Sequence, residues 1–155
     1  MRKGRVKQRE LQPDPRFNDP MVTRFVNSLM ESGKKSIAYG IFYDAVDKAT
    51  AETGEDGYEI WKKALQNVMP AVEVKSRRVG GSTFQIPTPV SSRRKITLGC
   101  NWLIGFSKKR NGKSMADKLA SEMVAASKGE GAAVKKREDT HKMAEANKAF
   151  SHFRV

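Results

Sequence analysis

Along most of this chain large apolar residues return every three or four positions, but between residues 72 and 86 they alternate, and two adjacent glycines sit inside the alternating stretch. A period near 3.6 builds helices that bury one stripe, and a period of 2 builds strands that bury one face. Only one pair of strands can be written, because Pro87 and Pro89 follow and helical spacing then resumes. The chain is therefore expected to be mainly α, six helices carrying one protruding two-stranded hairpin, with no sheet large enough to make its own core.

The helix boundaries are written in capping residues. Asp19-Pro20 is an N-cap followed by proline at the first helical position, and Met21, Val22, Phe25, Val26, Leu29 and Met30 follow at helical spacing toward Gly33. Ile37, Ile41, Phe42, Ala45, Val46 and Ala49 predict a second helix facing inward and stopping near Gly54. Asp56 with Glu59 reads as a capping box for a third, carrying Ile60, Trp61, Ala64, Leu65 and Val68 and ended by Pro70. Ser91 or Ser92 caps a fourth with Ile96, Cys100, Leu103 and Ile104 inward, and Ser114 with Asp117 boxes a fifth with Leu119, Ala120, Met123 and Val124, closed by Gly129 and Gly131.

With Gly80-Gly81 as a two-residue loop, Arg77 falls opposite Phe84 and Lys75 opposite Ile86. Such a ribbon is marginal alone, so it must lean on the helices or on a partner, and Phe84 and Ile86 could serve either purpose. The flanking segments differ. Residues 1–19 carry Arg2, Lys3, Arg5, Lys7 and Arg9 before the first acid, then Pro13 and Pro15, which reads as a mobile, extended basic arm. Residues 132–150 hold good helix formers but few large apolar groups, so that helix is expected to project toward another molecule. The coarse order is one domain, 1–155: arm 1–19, helices in 20–70, hairpin 72–90, helices in 91–128 and a last helix in 132–150.

Charge narrows the function. The 155 residues hold 30 Lys and Arg against 17 Asp and Glu, a net +13 that calls for a polyanionic partner. A membrane surface is a poor match, because no apolar run approaches a spanning length and no continuous amphipathic Lys-rich helix is evident. The amino-terminal cations lack a following apolar core, so no secretion signal is read and a cytoplasmic location is expected. Cys100 is the one cysteine, which excludes an intrachain disulfide and reads as a small buried hydrophobe.

The positive charge is not spread evenly. Between residues 44 and 59, Asp44, Asp47, Glu52, Glu55, Asp56 and Glu59 face only Lys48, whereas residues 75–95 contain no acid and carry Lys75, Arg77, Arg78, Arg93, Arg94 and Lys95. Arg93, Arg94 and Lys95 open a helix, where cations oppose the helix dipole unless an anion binds there too. Lys108, Lys109, Arg110 and Lys113 flank a turn at Asn111-Gly112, where they could straddle an RNA backbone or merely complement a helix end. Lys34 and Lys35 lie at another turn, and Lys135, Lys136 and Arg137 open the last helix before Glu138 and Asp139 dilute them.

Catalysis finds little support. His141 and His152 have no metal-ligand spacing around them and read as surface residues, and Glu138 and Asp139 point about 100° apart on a helix. Gly80-Gly81-Ser82-Thr83 lacks the lysine and the strand-to-helix context of a phosphate loop. A DNA-binding regulator is the second reading, weakened by the lack of a polar recognition helix in a helix-turn-helix, and an RNA-modifying enzyme is the third.

Three stretches carry a family resemblance: residues 13–35, opening Pro13-Asp14-Pro15; Glu73-Val74-Lys75-Ser76-Arg77-Arg78-Val79-Gly80-Gly81; and Ala133-Val134-Lys135-Lys136-Arg137-Glu138-Asp139-Thr140-His141-Lys142-Met143-Ala144-Glu145-Ala146-Asn147. In order and over essentially the whole chain they resemble the bacterial small-subunit ribosomal protein seven family. The resemblance implies a non-enzymatic protein without cofactors that binds the 3′ major domain of 16S rRNA and nucleates the head of the 30S subunit. It implies a place at the subunit interface by the exit tRNA site and the mRNA exit path, with Val79, Gly80, Gly81, Ser82, Lys135, Lys136, Arg137 and Lys142 on that side.

Small-subunit proteins nine and eleven are the implied neighbours, and the family's habit of repressing its own operon mRNA is implied as well. Family RNA contacts carry over best to Lys34, Lys35, Lys75, Arg77, Arg78, Arg93 and Arg94, with the basic arm as a group. The chain departs from the family at Gly99-Cys100-Asn101 and Gly105-Phe106-Ser107, where arginine and alanine are expected, and it stops at Val155 without the longer tail of some relatives.

Overall fold

The computed structural model describes residues 10–153, so the arm cations Arg2, Lys3, Arg5, Lys7 and Arg9 lie outside the described residues. Six helices run in the order α1 (Pro20–Leu29), α2 (Lys35–Thr53), α3 (Gly57–Val68), α4 (Ser92–Lys109), α5 (Met115–Ser127) and α6 (Ala132–Ala146). Strands β1 (Val72–Val79) and β2 (Ser82–Pro89) lie between α3 and α4, and a 3-10 helix, Lys148–Phe153, follows α6. The mainly α fold with one ribbon is as expected.

Helix α5 is the hub, packed on α2, α3 and α4. Its Leu119 and Met123 are fully buried, and Ala120 and Ala126 let the neighbouring helices come close. Phe25 of α1, Phe42 of α2 and Trp61 of α3 meet in one cluster with ring centroids 5.3–5.6 Å apart. Such tilted and edge-to-face pairs each add about 0.5–1.5 kcal/mol beyond the area they bury.

The caps explain where the chain turns. The Asp19 carboxylate accepts from the Met21 amide at 2.7 Å. Ser114 and Asp117 form a reciprocal capping box on α5. At the other end of α5, Gly129 takes φ 83 while the Gly129 and Glu130 amides donate to the Ala126 and Ala125 carbonyls, the pairing that satisfies a helix's last acceptors. Asp56 caps α3 alone, because Glu59 pairs with Lys62 at 3.2 Å instead of reaching back. Ser91 precedes α4 without a side-chain cap.

Besides these two caps, five expectations need correction. The basic arm does not extend to residue 19: the Asp14 carboxylate is buried, accepts from the Arg16 and Phe17 amides and from the Tyr43 hydroxyl, and Phe17 stacks on Tyr58 at 4.5 Å. A short turn with one aromatic ring is enough to dock a segment that has no period. Helix α1 stops at Leu29 and Met30 is extended, because Ser32 and Gly33 both take positive φ.

Ile37 is 57% exposed, since α2 buries Ala38, Phe42, Ala45, Val46 and Ala49 and Ile37 falls outside that stripe. Helix α6 does not stand away from the domain. It buries Ala133, Val134, Thr140 and Ala144 against α3, α4, α5 and the ribbon, close packing by small side chains that a search for large apolar residues misses. Arg137 donates to the Asn67 carbonyl at 2.5 Å, and Asn67 in turn donates to the Ala126 and Ser127 carbonyls. His141 is no bystander on the surface: its Nε2 accepts from the Ala71 amide at 3.0 Å, where the chain enters β1.

Candidate nucleic-acid interface

The ribbon is antiparallel with Arg77 opposite Phe84, Lys75 opposite Ile86 and Val79 opposite Ser82, the expected register. Cross-strand partners share a face, so cations and apolar groups do interleave. The apolar members turn out to serve the fold: Ile86 is buried, and Phe84 lies 5.2 Å from the ring of Phe150 in the 3-10 helix. The cations stay outside, with Lys75, Arg77 and Arg78 all exposed. At the tip Gly80 and Gly81 take φ 56 and 91, the twist a two-residue turn requires of its central residues.

Glu73 ties the ribbon to α4. Its carboxylate, whose side chain is 13% exposed, pairs with Arg94 at 3.3 Å and with Lys75 at 3.5 Å. The hairpin base and the amino end of α4 are thereby joined, with Lys75 on the ribbon and Arg93, Arg94 and the half-buried Lys95 on the helix, while Arg77 and Arg78 lie farther along β1 toward the tip. A seventh cation, Arg24 of α1, donates to the Arg93 carbonyl at 3.1 Å and to the Thr97 hydroxyl at 3.0 Å. Sequence reasoning missed Arg24, which stands alone in an apolar helix and joins the cluster only through α1–α4 packing. With no side-chain cap from Ser91, the first amides of α4 face the same surface and favour an anion.

The two basic turns also meet. Lys108 pairs with Glu31, which brings the α4–α5 junction beside Lys34 and Lys35 and holds the Glu31 carboxyl below its ordinary range. Lys35 sits over the Tyr39 ring at 5.8 Å and Lys109 over Phe106 at 5.1 Å, while Lys113 is exposed. Arg110 is used differently, because it pairs with Glu122, which is fully buried and also accepts from the Ala133 amide at 3.0 Å.

On α6, Lys135 and Lys142 are exposed beside Glu138 and Asp139, Lys136 is half-buried, and Arg137 is engaged with Asn67. The acids Glu55, Asp56 and Glu59 gather around the α2–α3 turn. Among the described residues no group of three or more His, Cys, Asp or Glu could hold a metal ion, and no helix is long and apolar enough to cross a membrane. Burial pushes the Cys100 thiol up to about 12, which leaves it protonated and unreactive.

A surface of this kind suits a phosphate backbone, and comparison with known proteins points the same way. The family model described as ribosomal protein S7p/S5e matches residues 1–148. The chain belongs to that family. It is 66% identical over 154 residues to small ribosomal subunit protein uS7 of Cytophaga hutchinsonii, covering 99% of each chain. It is 64% identical over 157 residues to the protein of the same name from Christiangramia forsetii, and 51% over 153 residues to that of Leptospira biflexa. In this S7p/S5e member the Glu73 bridge, the hairpin base and the amino end of α4 fall inside the matched stretch.

Proposed function

We propose that this S7p/S5e chain is a structural constituent of the small ribosomal subunit that binds the 3′ major domain of 16S rRNA directly and nucleates assembly of the head. Membership in the family makes it a ribosomal protein taking part in translation, not an enzyme. The observation that carries the finer reading is the Glu73 bridge, which gathers Lys75 and Arg94 with their basic neighbours beside uncapped helix amides. Phosphates both neutralise such cations and complete the helix end, so affinity comes from backbone contact and specificity from the shape of a folded RNA.

On the same reading the ribbon tip, Val79 to Ser82, and the cations Lys135 and Lys142 lie toward the exit tRNA and the mRNA path, with proteins nine and eleven as neighbours. Arg110 and Arg137, being engaged inside the fold, support the surface from behind. Binding of its own operon mRNA would use the same cations; unchanged operon expression on overproduction of the chain counts against it.

The deciding experiment is a salt series of binding to a 16S 3′ major domain fragment, for the unaltered chain and for Arg77→Ala/Arg78→Ala, with duplex DNA of equal length as competitor. The expected result is steep salt dependence, preference for the RNA, and a slope smaller by about one to two in the double variant. Equal competition by DNA together with an unchanged variant overturns both the partner and the surface.

A further inference from the structure

The chain holds six asparagines, Asn18, Asn27, Asn67, Asn101, Asn111 and Asn147, and of these only Asn111 is followed by glycine. It stands in the short link between α4 and α5, after the Arg110 C-cap and before the Ser114 N-cap, where Asn111 and Gly112 are both exposed and lie outside either helix. Among the described residues no hydrogen bond engages the Asn111 side-chain amide or the Gly112 backbone amide.

The other asparagines are differently placed. Asn67 donates to the Ala126 and Ser127 carbonyls, and Asn147 donates to the Met143 carbonyl at 2.8 Å. Asn27 and Asn101 lie inside α1 and α4, where the amide that follows each is tied into the helix ladder. Asn18 precedes Asp19, whose side chain obstructs what glycine leaves open. The Asp56-Gly57 pair is locked, because Gly57 is buried and its amide donates to the Thr50 hydroxyl at 2.9 Å. Gly112 has a packing reason to be glycine: a Cβ there would stand 2.9 Å from Cγ of Lys118, where the link passes α5. The fold keeps the glycine, and the asparagine before it brings the reactive group.

We propose that Asn111-Gly112 is a site of spontaneous deamidation, at which the α4–α5 turn converts to aspartyl and isoaspartyl forms, the second being a substrate for the carboxyl methyltransferase class that acts on isoaspartate. The Gly112 amide gives its proton to hydroxide, and its nitrogen attacks Cγ of Asn111. A nitrogen–carbon bond forms, the side-chain nitrogen leaves as ammonia with a proton taken from water, and a succinimide ring closes. Water then opens the ring at either carbonyl. Breaking the new bond leaves aspartate, and breaking the old backbone bond leaves isoaspartate, with the chain running through the side-chain carbon. The balance is one water in and one ammonia out, with no oxidation.

Ring closure is intramolecular, so proximity does the work of concentration. The amidate and the oxyanion of the addition step are both negative, and the exposed Lys109 and Lys113 flank them in sequence with positive charge, which favours the charged forms. The other charged groups of the junction are engaged: Lys108 with Glu31, Arg110 with Glu122, and Asp117 with Lys48 and the Ser114 hydroxyl. Each conversion adds a carboxylate to a stretch, residues 108–113, that holds no acid. Isoaspartate also lengthens the backbone by one carbon just ahead of the α5 capping box.

The test incubates the full chain in mildly alkaline buffer, follows ammonia release, and maps the products by peptide mass spectrometry. Conversion is expected only in the peptide holding residue 111, faster as pH rises, with an acidic shift of one charge on isoelectric focusing. Aspartyl and isoaspartyl products should both be present, and an isoaspartyl methyltransferase with a labelled methyl donor should mark the second. Asn111→Gln, which would have to close a larger and slower-forming ring, should abolish the release and melt like the unaltered chain, because the residue is exposed. Incubation in denaturant gives the reference for a chain without fold. A folded chain that stays intact while the denatured one loses ammonia overturns the proposal, since the approach to α5 would then hold Gly112 out of reach. Conversion spread over the other asparagines overturns it too, as does an aspartyl product without isoaspartate, which means direct hydrolysis and no ring.

Discussion

The imidazole of His141 accepts a hydrogen bond from the Ala71 amide at 3.0 Å, so α6 holds the chain at the residue from which β1 begins. Only the neutral ring can accept there. Burial, and then the positive charge of Arg137, hold the His141 pKa below its ordinary 6.5. The unfolded chain therefore takes up a proton at a pH where the folded one does not, and stability falls as pH drops below about 6.5 toward the lower folded value. Thermal melts at pH 7.5 and 5.5 should show a larger loss for the unaltered chain than for His141→Leu, which has no proton to gain; equal losses would remove His141 as the cause.

Arg110 and Glu122 supply a second prediction. Removing Arg110 strands a fully buried carboxylate whose other partner is the Ala133 amide. Arg110→Ala should cost about 3 kcal/mol in denaturant unfolding, and adding Glu122→Gln should recover part of that loss because the stranded charge is gone. A cost well under 1 kcal/mol would mean that water reaches the carboxylate and that Arg110 is free for RNA.

Much of the fold was legible because it rests on local rules. Asp19 before Pro20, Ser114 with Asp117, and the paired glycines at the ribbon tip act on neighbours a few residues away, and each does what its sequence position says. What could not be read depends on partners distant in sequence. Asp14 meets Tyr43, His141 meets Ala71, and Arg137 meets Asn67, contacts that no period or capping pattern announces. The candidate interface divides the same way: its basic tracts are visible in composition, but which cations face outward is decided by where Glu31, Glu73 and Glu122 happen to lie.

Two glycines should respond oppositely to alanine. A Cβ on Gly57 would stand 2.1 Å from the Val46 carbonyl oxygen and 2.7 Å from the Thr50 hydroxyl, where α3 begins against the side of α2. Backbone cannot yield cheaply, so Gly57→Ala should lose about 2 kcal/mol or more. Gly40 lies exposed inside α2 with nothing within 4 Å of the added atom, and Gly40→Ala should gain about 0.5–1 kcal/mol from backbone entropy. Chemical denaturation of both variants decides the matter, and a tolerated Gly57→Ala would contradict the α2–α3 approach.

The contact between Phe84 and Phe150 makes the ribbon's order depend on the 3-10 helix after α6. A two-stranded ribbon gains little from its own hydrogen bonds in water, so what steadies its outer half must come from outside the hairpin. Phe150→Ala removes that support while leaving the buried rings of Phe25, Phe42 and Trp61 untouched. Amide hydrogen exchange in β2 should then accelerate by roughly tenfold while exchange in α5 stays unchanged, since local opening and global unfolding are separate events. RNA affinity should fall with the salt slope preserved, because the cations remain and only their ordering is lost. Faster exchange in α5 as well would place Phe150 in the cooperative core, and unchanged exchange everywhere would mean that the ribbon is steadied by α6 alone.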